Sequence, residues 1–153
     1  MIRVQAGDFD VGAELARITE GSTDIGAVAS FVGLVRDYAG DEKVSAMTLE
    51  HYPGMTEKQL ERIEAEARER WELQDVLIVH RYGRLEPGDR IVLVATASPH
   101  RQAALESCAF LIDWLKTKAP FWKLEDRDGG EAWVASREED EAAADRWARI
   151  NEK

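Results

Sequence analysis

Three lysines, Lys116, Lys118 and Lys123, crowd the segment Leu-Lys-Thr-Lys-Ala-Pro-Phe-Trp-Lys-Leu-Glu at Leu115–Glu125. The chain around them is acidic, with a formal net charge of −10 over 153 residues. From Pro99 to Lys123 there are four Arg or Lys against two acids, whereas from Leu124 onward ten Asp or Glu face five Arg or Lys. A local basic patch in an acidic chain suits a small anionic ligand. The overall charge disfavours nucleic acid and anionic membrane surfaces. Ammonium groups aimed at one point bind phosphate or carboxylate and stabilise oxyanions that develop during a reaction.

A second cationic pair, His100 and Arg101, follows Ser98-Pro99. Ser98 is expected to cap a helix and Pro99 to be its first residue. That places His100 and Arg101 in the first turn. Positive charge there opposes the helix dipole at a cost of about 0.3–1 kcal/mol. Free N–H groups, an arginine and a histidine in succession favour an anion site over two solvated side chains. A third candidate, Arg36, comes just past an apolar run and reads as the end of a central strand, where clefts form. On position alone, Arg36 is read more simply as a loop residue paired with Asp37.

Elements to position these residues can be read along the chain. Met1–Gln5 reads as an edge strand, and Asp10 as the cap of a helix through Val11, Leu15 and Ile18. Gly26–Val35 is an apolar run that predicts a strand buried on both faces. Residues 38–43 are expected to form a mobile polar loop, and Val44–Tyr52 a strand. Thr56 with Gln59 is read as a capping box and Met55 with Leu60 as a hydrophobic staple. The helix that follows should bury Leu60, Ile63, Ala67 and Trp71, with Glu64–Arg68 and Glu66–Arg70 pairs outside. Val76–His80 and Arg90–Ala97 read as strands joined through a Glu86–Asp89 turn. His51 and His80 are read as structural histidines, and scattered histidines disfavour a metal site.

Ala104, Cys108, Leu111 and Leu115 mark the buried face of the next helix, so Cys108 reads as a core residue. Lys116 closes that helix, where the dipole alone would favour it. Pro120 ends the helix, and residues 121–125 alternate. If Trp122 and Leu124 face the core, Lys123 and Glu125 share a surface, and Glu125 could orient the lysine. The plain alternative is a weak surface ion pair. Residues 128–131 suggest a turn, Ala132–Val134 a returning strand, and Arg137–Ile150 an acidic helix with a stripe of Ala143, Trp147 and Ile150.

The single cysteine gives no disulfide framework, and the sequence shows neither a leader nor an apolar run of spanning length. A cytoplasmic protein forming one domain over residues 1–153 is expected.

Thr48-Leu-Glu-His-Tyr-Pro-Gly-Met-Thr-Glu-Lys58, Ser98-Pro-His-Arg101 and Leu115-Lys-Thr-Lys-Ala-Pro-Phe-Trp-Lys123 resemble the catalytic, large subunit of molybdopterin synthase. The resemblance runs from about Val28 to Trp147. It implies an α+β fold, an α/β hammerhead-type domain with an additional small antiparallel sheet. It implies a sulfurtransferase that builds the dithiolene of molybdopterin from cyclic pyranopterin monophosphate. The sulfur would come from the C-terminal Gly-Gly thiocarboxylate of a small ubiquitin-like partner. The resemblance further implies a homodimer within a heterotetramer; no cofactor and no metal are expected. Lys116 and Lys123 match the family's pocket lysines. Arg36, His100 and Arg101 match its substrate contacts, with His100 and Arg101 reaching a neighbouring subunit's pocket. Glu125 matches an acidic residue beside the second lysine, and Phe31 and Arg137 match positions near the site. Leu34 and Leu124 stand where members can carry a basic residue.

On this reading Lys116 contacts the thiocarboxylate or moves protons, and Lys123 stabilises the phosphate or the developing intermediate. A buried lone cysteine carries no persulfide easily, so sulfur should come from a partner. A non-catalytic binding module for a phosphorylated pterin, or a scaffold for the partner, is the competing reading. A hydrolase lacks both metal-ligand spacing and a nucleophile–base pair.

Overall fold

In the computed structural model, residues 1–127, 130–134, 142, 143 and 145–147 are described. The elements in order are β1 (Ile2–Gln5), α1 (Val11–Thr19), β2 (Ala27–Leu34), β3 (Tyr38–Ala39), β4 (Glu42–His51), α2 (Met55–Arg70), β5 (Asp75–Arg81), β6 (Gly83–Leu85), β7 (Arg90–Ser98), α3 (Arg101–Thr117), β8 (Phe121–Arg127) and β9 (Gly130–Val134). They make an α+β fold with two sheets. The first sheet has the order β1-β5-β7-β2, with β1 parallel to β5 and the other pairs antiparallel. The second runs β3-β4-β8-β9, with β6 paired to β4.

Period-two alternation in the first sheet feeds two cores. Val76 and Ile78 of β5 and Val92 and Val94 of β7 face α2 and α3 in the larger core, with Leu60, Ile63, Ala67, Ala104, Cys108 and Leu111. Leu77, Val79, Leu93 and Ala95 face the other way and pack with Phe9 against Val11, Leu15 and Ile18 around α1. The continuous apolar run of β7 therefore does cover both faces. That of β2 does not. It is an edge strand beside β7 alone, and Ser30 and Leu34 are exposed. The apolar run was an ambiguous signal because α3 covers one face of β2 while, among the described residues, no strand pairs with its outer margin.

Three local expectations are corrected by hydrogen bonding. Residues 38–43 are a tight hairpin and not a loop: Tyr38 pairs with Lys43, Ala39 with Glu42, and Gly40 takes φ 64° in the turn. The cap of α2 is Gly54, whose N–H donates to Glu57 Oε2 at 2.6 Å, so the Thr56–Gln59 box does not form. Met55 is exposed, which removes the staple with Leu60. Thr56 is fully buried instead and ties α2 back to the end of β4. Its hydroxyl donates to the Tyr52 carbonyl at 2.7 Å and accepts from the Tyr52 N–H at 3.1 Å. With its proton committed to Tyr52, the hydroxyl accepts from His51 Nδ1 at 3.2 Å. Thr56→Val keeps the volume and removes all three of these side-chain hydrogen bonds, so a loss of about 1–3 kcal/mol in urea unfolding is expected.

The α3 cap is also shifted. His100 is the N-cap without a side-chain bond, and α3 starts at Arg101. Ser98 belongs to β7 and is buried, its hydroxyl donating to the Glu72 carbonyl at 2.8 Å. Here the chain passes close to Gly26: a Cβ at that position would lie 2.0 Å from the Pro99 carbonyl oxygen. Gly26 also donates its N–H to the Ser98 carbonyl at 3.0 Å. Gly26→Ala must push the Ser98–His100 segment away. A destabilisation of about 1–3 kcal/mol, read as a lowered thermal midpoint, is expected.

Trp147 is buried on the body of the molecule, edge-on to Trp71 at 5.7 Å and to Phe110 at 5.6 Å, with its indole N–H donating to Asp113 Oδ2 at 2.6 Å. Arg137 and Ile150 lie outside the described residues.

Candidate active site

The antiparallel pairing of β7 sorts the candidate residues between two ends of the first sheet. Ala27 lies opposite Ser98 and Leu34 opposite Arg90, while His80 lies opposite Val92. α3 starts beyond Ser98 and packs back along β2 and β7. Arg36, His80 and Lys116 therefore belong to one end, and His100 and Arg101 to the other. The 17 residues of α3 separate the two ends by about 25 Å. The eight residues of β2 span a similar length, about 25 Å. A single chain thus does not bring its cationic candidates into one pocket. Arg36 lines a cavity of about 570 Å³ with Asp37, Tyr38, Gly40 and Pro87. His100 and Arg101 line another of about 400 Å³ with Gly26, Pro99 and Gln102. Both arginines and His100 are exposed.

The two lysines arrive from different elements. Lys116 is exposed in the last turn of α3, and Lys123 is half-buried on β8. Lys118, the C-cap of α3, is exposed, as expected. Between them the chain turns at Pro120 and enters β8, which pairs with β4 so that Phe121 lies opposite His51, Lys123 opposite Leu49 and Glu125 opposite Met47. Leu49 and Met47 are buried, so this register points Phe121, Lys123 and Glu125 inward. The alternation was foreseen but its sense is reversed. Trp122 is 42% exposed, with Tyr52 edge-on at 4.8 Å, whereas Glu125 is 6% exposed. An aromatic on the outer face and a carboxylate on the inner one defeat a hydrophobicity argument over so short a strand. Glu125 meets Arg127 Nε at 3.1 Å, and Arg127 reaches on to Glu42 at 3.4 Å. Its charge is thus compensated within the fold by an arginine that sequence reasoning did not single out.

His80 was read as structural, and its surroundings are more specific than that. It is buried at the end of β5, and its ring stacks on Phe121 with 3.7 Å between centroids and 15° between planes. Phe121 also meets His51 at 6.0 Å, and His51 meets Tyr82 at 4.7 Å. Burial pushes the His80 pKa down to about 3, and the charges of Lys123, Lys116 and His51 push the same way. Lys123 follows Phe121, which stacks on that ring, on the same inward face of β8, and Lys116 lies at the His80 end of the first sheet.

The linkage has a definite sign. The unfolded chain takes up a proton near pH 6.5 that folded His80 refuses until about pH 3. This contribution to stability is complete above pH 6.5 and is lost as pH falls towards 3. Urea unfolding should weaken by about 1–2 kcal/mol between pH 6.5 and 5, and His80→Phe should flatten that slope.

Cys108 is buried against the Val94 carbonyl, and burial pushes its thiol up to about 11, the opposite of an activated nucleophile. Among the described residues, no three His, Cys, Asp or Glu side chains converge as metal ligands would.

Residues 4–118 match the family described as MoaE protein. The molybdopterin synthase catalytic subunit of Mesorhizobium japonicum is 54% identical over 99% of this chain and 95% of its own length. The chain belongs to the MoaE family. Two solved structures agree with that membership. The molybdopterin biosynthesis MoaE protein of Burkholderia ambifaria superposes with a TM-score of 0.83 at 55% identity, covering 97% of each chain. Molybdopterin synthase from Staphylococcus aureus gives 0.79 at 32% identity, covering 87% of this chain and 96% of that one. The MoaE fold is thus the two-sheet α+β arrangement described above.

Proposed function

We propose that this protein is the catalytic subunit of a molybdopterin synthase. In this reading it moves two sulfurs from the C-terminal thiocarboxylate of a small ubiquitin-like partner to cyclic pyranopterin monophosphate. The observation that supports the reading is the placement of two lysines on either side of Pro120: Lys116 closes α3, and Lys123 lies on the inward face of β8, two residues past the Phe121 that stacks on buried His80. Attack of a thiocarboxylate sulfur on the pterin side chain, and opening of the cyclic phosphate, both build negative charge on oxygen. Ammonium groups held on rigid elements stabilise that charge as it develops. Lys116, exposed at the helix end, meets the partner's tail. Lys123, recessed on β8, takes the phosphate or the intermediate. Glu125 acts through the Glu125–Arg127–Glu42 chain, which fixes β8 against β4.

Arg36 belongs to the lysines' end of the sheet and contributes to substrate binding there. His100 and Arg101 belong to the far end and act in the pocket of a second copy of the chain. That arrangement requires a homodimer, with one small partner at each of its two pockets. A cytoplasmic setting suits a thiocarboxylate-dependent synthesis, and no described helix is long and apolar enough to cross a membrane.

The test is reconstitution. Purified protein, thiocarboxylated partner and cyclic pyranopterin monophosphate should yield molybdopterin. Binding of the pterin phosphate by calorimetry without any product would instead support a non-catalytic module.

A further inference from the structure

The residues of β2, Ala-Val-Ala-Ser-Phe-Val-Gly-Leu, hold no charge and no proline, the usual devices that keep an exposed strand edge from pairing further. Among the described residues no strand pairs along its outer margin. Leu34 is 53% exposed there and Val28 is half-buried. By alternation both lie on the face of β2 away from α3, since Ala27, Ala29 and Phe31 belong to the core beneath that helix.

α3 turns Ala104 and Cys108 to the sheet. It turns Glu106, Phe110 and Asp113 to Trp71, at the end of α2, and to Trp147. A third stripe, Arg101, Leu105, Ile112 and Lys116, follows from helical spacing. α2 packs on β1 while α3 packs alike on β7 and β2, so this stripe overhangs the free edge of β2. Leu105 is 62% exposed and Ile112 half-buried. Helix and strand share one centre. The Thr96 hydroxyl donates to the Ala104 carbonyl at 2.7 Å, and the Cys108 thiol lies 3.9 Å from the Val94 carbonyl. Thr96 pairs with Ala29 and Val94 with Phe31. The middle of the stripe, at Cys108–Ala109, therefore lies over Phe31, midway between Val28 and Leu34.

We propose that this face is the interface with a second copy of the chain: the two β2 strands pair antiparallel about a two-fold axis through Phe31, with the two α3 helices antiparallel above them. The axis sets Val28 against Leu34 of the other copy on one side of the joined sheet. On the other side it sets Leu105 against Ile112, and Arg101 beside Lys116, of the other copy. The spacing fits. Strands pair about 4.8 Å apart, and a helix seated between β7 and β2 stands about 2.4 Å inside β2, so the two helix axes come to about 10 Å, a packing distance. A two-fold contact uses one patch on both copies, and a stripe symmetrical about its own middle supplies it. Arg101 and Lys116 end at the rim, where solvent screens their repulsion. The proposal rests on the shared-pocket reading for its bearing on turnover, but the interface is measured without turnover.

Two measurements on the whole protein test it. In sedimentation the wild type should be a dimer. Leu105→Lys sets a further cation into the stripe, and each substitution enters twice through the two-fold, so a tenfold loss per copy raises the dissociation constant about a hundredfold. Trp133→Lys, on exposed β9 of the second sheet, should leave it unchanged. A dissociation constant unmoved by Leu105→Lys, or raised as far by Trp133→Lys, overturns the proposal. The second measurement is disulfide linking. Val28 and Leu34 lie about 20 Å apart along one strand, beyond the reach of a disulfide within one chain. Mild oxidation should give covalent dimers of the double variant Val28→Cys/Leu34→Cys and of neither single variant. No link in a dimeric double variant, or equal linking of the single variants, rejects this pairing. A monomeric wild type rejects the interface and the shared pocket together, whereas a dimer that fails to link rejects the interface alone.

Discussion

Lys123→Ala is expected to lower molybdopterin formation by about 10²–10³-fold, the loss typical when one preorganised donor to a developing oxyanion is removed. Lys116→Ala should fall in the same range. The two should differ in how they fail. Lys116 is exposed at the end of α3, where a partner's tail can reach it, so its loss should also weaken the response to rising concentrations of the thiocarboxylated partner. Lys123 is recessed and inward-facing, so its loss should appear in kcat at saturating partner. Neither substitution removes a large buried side chain, so thermal midpoints should stay close to wild type. Near-normal turnover in both variants would remove the lysines from the chemistry. Single-turnover measurements with each variant separate the two failures.

These expectations depend on geometry that was only partly legible in the sequence. Strands and helices with strong periodicity were read with useful bounds: α1 with its Asp10 cap, the buried face of α2, the both-sides-buried β7 and the face of α3 that carries Cys108. Failures came where a local pattern was consistent with two tertiary settings. The apolar run of β2 looked central but lies at the sheet edge; its apolar residues reflect α3 packed on one face, which says nothing about whether a strand pairs along its outer margin. Thr56 fits a capping rule but is used as a buried three-way tie. The alternation of β8 was clear, but its direction was set by register with Leu49 and Met47, about which residues 121–125 carry no information.

The candidate site divides in the same way. Lys116 and Lys123 were identifiable by charge and by their placement about Pro120. His80 was visible only as a histidine at a strand end. Its stack on Phe121 joins two strands of different sheets, 41 residues apart in sequence, and no local signal encodes such a contact. The separation of His100 and Arg101 from the lysines does follow from a helix with cations at both ends. The structure adds that Arg36 goes with the lysine end, since the register of β2 on β7 fixes which end each belongs to.

That separation carries the central claim, a pocket shared between two copies of the chain. Lys123→Ala and Arg101→Ala should each be nearly inactive as homodimers. If Arg101 serves the neighbour's lysines, a mixed dimer holds one site with both residues intact and one with neither. Random exchange of equal amounts makes half the dimers mixed, so about one quarter of all sites should be intact. The decisive measurement is turnover of the two inactive variants after subunit exchange. Recovery to about a quarter of the wild-type rate is the predicted result. No recovery, with exchange verified by native mass spectrometry, would contradict a pocket built from two protomers.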